Sequence, residues 1–305
     1  MDKSRLNLRN VATVVACLAV TMFASCKKDP KILDLNGTVT ISPTANALTG
    51  DELTASYNGS ETVTLTWQWK KDGTTIANAT SDKYTPTEAG SYTVTASAKG
   101  YNSKISAAVE VRLAIFLLEN REREGFRYVY EYDDQERITK ISIYLINNGQ
   151  LNAVCTINYN ADLIELISGS NKTTYTKNGN KIIFGNSEID LNAQGLPEKY
   201  TSERYTSNLT WLNGNLTKEE GDGWSYTYTY DNYKSPFYNC KTPKWLLWVQ
   251  SPFGNHYNVN NVKTETCYEG EDSGVITYGY TNNDDGFPVT RTVGGNTETY
   301  KYKKR

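Results

Sequence analysis

Three stretches far apart in the chain are written in nearly the same letters: DDQERI (Asp133 to Ile138), NAQGLP (Asn192 to Pro197) and NDDGFP (Asn283 to Pro288). Each opens on an Asx residue and, after two variable positions, the second and third copies carry glycine. An Asx side chain can close a turn by accepting from backbone N–H groups ahead of it, and glycine takes positive φ without a Cβ clash. Glu136 stands at the glycine position of the first copy, at a cost on the order of 1 kcal/mol if it is left-handed. DNYKSP, from Asp231, is a looser fourth copy. Alternating aromatic runs precede the turns: Tyr128-Tyr130-Tyr132, Tyr226-Tyr228-Tyr230 and Tyr278-Tyr280. Asn178-Gly179 and Asn213-Gly214 add two hairpin signals. A chain so punctuated is expected to form a long antiparallel meander, curled or barrel-like, over about residues 113–305. Its tyrosines then share one sheet face and pack across strands.

The segment 35–112 is built differently. Short alternating runs (TVTI, ELTASY, VTLTWQW, SYTVTASA, ISAAVEV) are parted by turn signals at the spacing of a β-sandwich. Trp69 in WKKDG and Tyr92 in EAGSYTV resemble the core tryptophan and the tyrosine corner of immunoglobulin-like domains. The inter-sheet disulfide of that family is absent, with Val94 where its second cysteine would stand, so the resemblance is to bacterial Ig-like modules. It implies a core role for Trp69; Trp67 lies on the same strand face. Abundant Tyr, Thr, Val and Ile, with 23 tyrosines in all, agree with an all-β protein.

The YxYDxxGR texture of the C-terminal region resembles the YD repeat of Rhs-type proteins. The order of YEYDDQERITKI, YTYTYDNYKSPF, NNV (Asn260 to Val262) and YGYTNNDDGFPV is similar to the uncharacterised DUF4595 family of Bacteroidetes lipoproteins, which is described as porin-like in fold. That family brings no chemistry to carry over. A membrane barrel needs an outward apolar belt. Runs such as SYTYTYD and TETYKYKK are polar on their second face, so a tethered sheet outside the bilayer is expected.

Lys3, Arg5 and Arg9, then the apolar run Val11 to Phe23, read as a signal peptide over residues 1–25. FASC resembles a lipobox, which implies lipidation of Cys26, a tether over 26–34 and a membrane partner reached through acyl chains. The expected place is the outer membrane, on its cell-surface or periplasmic face. A formal net charge of −2 with no basic block argues against nucleic acid.

Chemical motifs are sparse. The single histidine, His256 in FGNHYNV, has no G-x-S-x-G partner and reads as a polar loop residue. No C-x-x-C or H-E-x-x-H pattern occurs, and no cofactor is expected. Asn283, Asp284 and Asp285 form a weak candidate metal loop that hairpin chemistry also explains. Cys155 reads as a small buried thiol. Cys240 and Cys267 are a candidate disulfide. Trp211, Trp224, Trp245, Trp248 and Tyr257 are candidate stacking residues for a sugar. Trp245 and Trp248, flanking Leu246-Leu247, also suit a helical turn plugging the core. The expected function is non-enzymatic presentation of a β-rich domain to a glycan or an envelope protein. A glycoside-active enzyme on the concave face of the sheet, or a structural part of an envelope complex, are the alternatives.

Overall fold

The computed structural model describes residues 31–250, 256–270 and 272–305. The expected signal peptide and lipidated Cys26 lie outside the described residues. The chain divides between Arg112 and Leu113 into two compact units.

The first unit holds two larger sheets and a short parallel pair, Leu33–Asp34 with Tyr101–Asn102. One sheet centres on Gly90–Ser97, flanked by Thr66–Lys71 and Val109–Arg112; the other holds Val39–Ser42, Leu53–Tyr57 and Lys83–Tyr84. Trp69 pairs across the strands with Val94, and both are fully buried. The Trp69 indole donates to the carbonyl of Ser81 (2.8 Å), and the Tyr92 hydroxyl to that of Glu88 (2.8 Å). Each buried aromatic thus has its polar atom satisfied. Trp67, on the same face, packs half-buried against this core.

The second unit is a closed antiparallel barrel of seventeen strand segments in chain order. The first, Phe116–Arg123, pairs with the last, Asn296–Lys304, from Phe116↔Lys304 to Glu122↔Thr299. Two segments, Asp272–Thr277 and Gly279–Asn282, are parted only at Tyr278, whose N–H donates to the carbonyl of Lys263 (3.0 Å). Alternation decides the faces. In Phe126–Tyr132, Tyr130 is buried and Tyr128 and Tyr132 pack on the core, while Arg127 and Glu131 point outward. The outward face carries cross-strand ion pairs, among them Arg127–Glu122 (2.6 Å), Lys140–Glu131 (2.7 Å) and Lys181–Glu188 (2.8 Å). Charges so placed suit water; lipid-facing Lys or Arg costs about 2–4 kcal/mol each at a bilayer midplane. No helix among the described residues is long and apolar enough to cross a membrane.

All three recurrent turns lie at one end of the barrel and share one geometry. The Asp133 Oδ1 accepts from the N–H groups of Gln135 (3.0 Å) and Arg137 (2.9 Å). Asn192 repeats this with Gln194 (3.0 Å) and Leu196 (3.1 Å), and Asn283 with Phe287 (2.9 Å). The fourth position is left-handed in each: Glu136 at φ 59°, Gly195 at 74° and Gly286 at 81°. The looser copy departs. Asp231 accepts from the Tyr233 N–H (2.9 Å), but the strand Trp224–Lys234 runs on past it into a segment that crosses the barrel. At the same end, aromatic side chains donate to carbonyls on the preceding strand: Tyr132 to Leu118 (2.8 Å), Tyr159 to Ile138 (2.9 Å), Tyr230 to Leu216, Tyr280 to Val262 (2.9 Å) and Tyr302 to Pro288 (2.9 Å).

A barrel of this strand number would enclose a channel if nothing filled it. The described residues of the crossing segment, 235–250 and 256–259, fill it. Its helix α1, Lys244–Val249, buries Trp245, Leu246 and Leu247, and Phe237 and Tyr257 join the same core.

Candidate functional site

The strands Asn215–Gly221, Trp224–Lys234 and Asn260–Glu269 lie side by side near the end of the barrel opposite the Asx turns. Their register aligns inward residues in rows. Glu219 faces Tyr226, which faces Cys267; Gly221 faces Trp224, which faces Glu269; Tyr228 faces Glu265. Of these, Glu219, Trp224, Tyr226, Tyr228, Glu265 and Glu269 line, with Tyr205 from the neighbouring turn, an open cleft of about 720 Å³.

The tight turn Asp222-Gly223, with Gly223 at φ 79°, reverses the chain beside this cleft. Gly221 matters through what it lacks: a Cβ there would fall 2.5 Å from the Trp224 indole, so only glycine lets that ring lie across the neighbouring strand. Trp224 continues a chain of rings, tilted against Tyr226 (centroids 5.6 Å) and edge-on to Tyr205 (6.4 Å), which packs on Tyr200 (5.3 Å). Tyr200 meets Trp248 edge-on (5.9 Å).

Three carboxylates sit among these rings. Glu219 accepts from the Trp248 indole (3.4 Å), Glu265 from the Tyr278 hydroxyl (2.8 Å) and Glu269 from the Tyr226 hydroxyl (2.5 Å). Burial pushes the Glu219 carboxyl above the ordinary range, and nearby Glu265 pushes the same way, against the hydrogen bond from Trp248. The hydrogen bond to Glu269, contact with Cys267 and burial raise the Tyr226 phenol, so it stays a proton donor. Among the described residues that line the cleft there is no lysine, arginine or histidine.

The structure separates the five candidate stacking residues. Trp224 lines the cleft, and half-buried Trp248 reaches it through Glu219. Trp245 and Tyr257 do not: they are 5 % and 4 % exposed, Trp245 against Tyr175 (5.3 Å). Trp211 is half-buried against Tyr257 (6.1 Å), its indole donating to the carbonyl of Pro197. A stacking surface uniting all five is therefore not formed, because the helix turns Trp245 into the core.

The candidate disulfide is not formed. Cys240 and Cys267 are separate thiols: Cys240 is half-buried beside Thr242 and Ile138, where desolvation pushes its thiol up to about 11, and Cys267 stands opposite Tyr226. The Asn283, Asp284 and Asp285 loop is a turn whose Asn283 side chain is already spent on the Phe287 N–H. Among the described residues no group of three or more His, Cys, Asp or Glu could hold a metal ion.

His256 is no open loop residue. It is 3 % exposed, beside Glu298 (3.6 Å) and edge-on to Tyr300 (5.5 Å). Glu298 also meets Arg291 (2.8 Å) and Arg121 (3.2 Å) and accepts from Tyr300 (2.6 Å). Burial and the adjacent Arg291 push the His256 imidazole down to about 4, with Glu298 opposing, so it is neutral at neutral pH. Burial opposes ionisation of Glu298, but contact with His256 and the two guanidiniums hold its carboxyl well below the usual range.

No protein-family model matches the chain, and no curated protein does. Some solved structures are similar. A porin-like protein from Bacteroides uniformis is 13% identical over 62% of this chain and 96% of its own, with a TM-score of 0.35. A cycloalternan-forming enzyme from Listeria monocytogenes is 11% identical over 64% of this chain and 22% of its own, with a TM-score of 0.22. The exotype rhamnogalacturonan lyase YesX is 10% identical over 86% of this chain and 40% of its own, with a TM-score of 0.19. Likenesses this distant carry no argument about chemistry. What the chain's own fold defines is an all-β protein with a plugged barrel and an aromatic, acidic cleft at one end.

Proposed function

We propose that this chain is a non-enzymatic envelope lipoprotein, anchored through Cys26, whose barrel binds a saccharide in the cleft. The observation that carries the binding reading is Trp224 set across Gly221 beside Tyr205, Tyr226 and Tyr228, with carboxylates between the rings. Flat apolar rings take the C–H faces of a sugar, and carboxylates accept from its hydroxyls. The anchor reading is supported by the signal-like run and FASC. A glycan array followed by calorimetry on the best ligand tests the binding. Trp224→Ala is expected to weaken it at least about tenfold, or about 1.4 kcal/mol. Outward-facing Thr227→Ala should leave it unchanged. No bound glycan, or equal affinity for Trp224→Ala, would sink the reading.

One observation favours a second reading. Glu219, its carboxyl raised by burial, lies near Glu265, and two neighbouring carboxyls are what glycoside chemistry uses. Release of reducing ends by the full chain, lost in Glu219→Gln, would support it; intact oligosaccharide after prolonged incubation counts against it.

A further inference from the structure

The plug does not fill the barrel evenly. At the end that carries the Asx turns, a cavity of about 400 Å³ remains between the helix and the wall, within the size range of small-molecule sites. Its floor is apolar: Tyr175, Ile182, Leu191 and Trp245 are each less than a tenth exposed, and half-buried Ile164 and Pro243 join them. The charged lining groups are more open and balance one another. Arg137 is paired with Asp133 (2.7 Å) and lies over the Tyr159 ring (4.2 Å), while Lys177 and Asp162 are exposed. The lining phenols are engaged: Tyr159 donates to the Ile138 carbonyl (2.9 Å), and Tyr175 accepts from the Gln250 amide. One buried donor is not. The indoles of Trp69, Trp211 and Trp248 each have an acceptor, in Ser81, Pro197 and Glu219. The Trp245 indole, more buried than that of Trp211 or Trp248, donates to nothing among the described residues.

We propose that this cavity is a second ligand site, for a small neutral aromatic molecule bearing a carbonyl oxygen: its ring packs against Trp245 and Tyr175, and its oxygen accepts from the Trp245 indole. The site lies at the other end of the barrel from the cleft and does not depend on the saccharide reading. Neutrality follows from the charged lining, where one lysine offsets one aspartate and Arg137 is already paired. The aromatic body follows from the Tyr175–Trp245 pair, whose rings are tilted at 55° with centroids 5.3 Å apart and offer faces to a third ring. The oxygen follows from the indole, because a buried donor left unpaired carries its full desolvation penalty. Water relieves that penalty poorly: an ordered water needs several polar partners, and this floor offers one. A water so weakly held yields to a ligand that supplies both an acceptor and apolar surface.

The test is titration of the full chain with acetophenone and with cumene, its isostere without the oxygen, followed by nitrogen–proton NMR of the six indole N–H groups. The Trp245 resonance is assigned by its loss in Trp245→Phe, or by its Overhauser contacts to the Tyr175 ring if that variant fails to fold. Acetophenone is expected to move that resonance downfield saturably and to bind at least about fivefold tighter than cumene. Ile164→Phe, which adds a ring to the cavity wall, should abolish the shift while the other indole resonances stay where they are in the parent chain. Benzoate, an anion of similar size, should bind more weakly than acetophenone; tighter binding overturns the neutral ligand class. Absence of saturable binding, equal affinity for cumene, or a shift confined to another indole such as that of Trp224 overturns the proposal and leaves the saccharide reading standing.

Discussion

Glu136 does a glycine's work. Its φ of 59° sits beside 74° and 81° at Gly195 and Gly286 in turns with the same hydrogen bonds. A Cβ in that region crowds the backbone, so Glu136→Gly should stabilise the fold by up to about 1 kcal/mol, net of the extra freedom glycine gains when unfolded. A rise in the urea midpoint with an unchanged slope would show it; a fall would mean the Glu136 side chain contributes more than its backbone costs. Turns of this kind were legible in the chain because their chemistry is local: an Asx cap and a left-handed residue lie within five positions of each other. The strand faces were legible for the same reason, since alternation put Tyr128, Tyr130 and Tyr132 on one side. The cleft was not. Glu219, Trp224 and Glu265 meet through register across three strands, and register is fixed by the whole sheet. A shared inward parity among KEEG, WSYTY and TETCYE was the available signal.

The helix α1 is too short to hold by propensity. Six residues, KWLLWV, follow Pro243, and their order comes from burial: Leu246 and Leu247 are 0% and 1% exposed. Its links to the wall are specific. Thr242 accepts from the Ile138 N–H (2.8 Å), and Lys244, its amine pushed down to about 8 by burial, donates to the carbonyl of Gly214 (2.9 Å). Leu246→Ala should cost about 2–5 kcal/mol in chemical unfolding, as a core truncation rather than a surface change. A loss below about 0.5 kcal/mol would mean the plug is not part of the cooperative unit. The spacing of Trp245 and Trp248 had suggested this helical turn. That it would leave Trp248 touching the cleft and Trp245 sealed from it depends on the path of the crossing segment, which no local pattern encodes.

At the scale of the molecule, the buried charges mark the seam. Arg121 belongs to the first strand of the barrel, Glu298 and Tyr300 to the last, Arg291 to its neighbour and His256 to the plug. The imidazole stays neutral down to about 4 when folded, against 6.5 ordinarily. Between those values the unfolded chain takes up a proton that the folded one refuses, so stability falls as pH falls across that window, by about 1.4 kcal/mol per pH unit. His256→Gln should flatten that limb of the stability–pH curve, measured by urea unfolding from pH 7 to pH 4; an unchanged slope would place the proton uptake elsewhere.

The same seam has a kinetic meaning. Every other pairing in the barrel joins segments that follow one another along the chain, nearly all across a short turn and one, Trp224–Lys234 with Asn260–Glu269, across the plug. Closing Phe116–Arg123 onto Asn296–Lys304 spans the whole domain and is the most expensive in chain entropy. Until it forms, the half-zipped sheet has two raw edges, either of which can template onto another molecule's. Arg121 on the first strand meeting Glu298 on the last gives those two edges a chemical reason to select each other, at the one pairing where a stranger competes on equal terms.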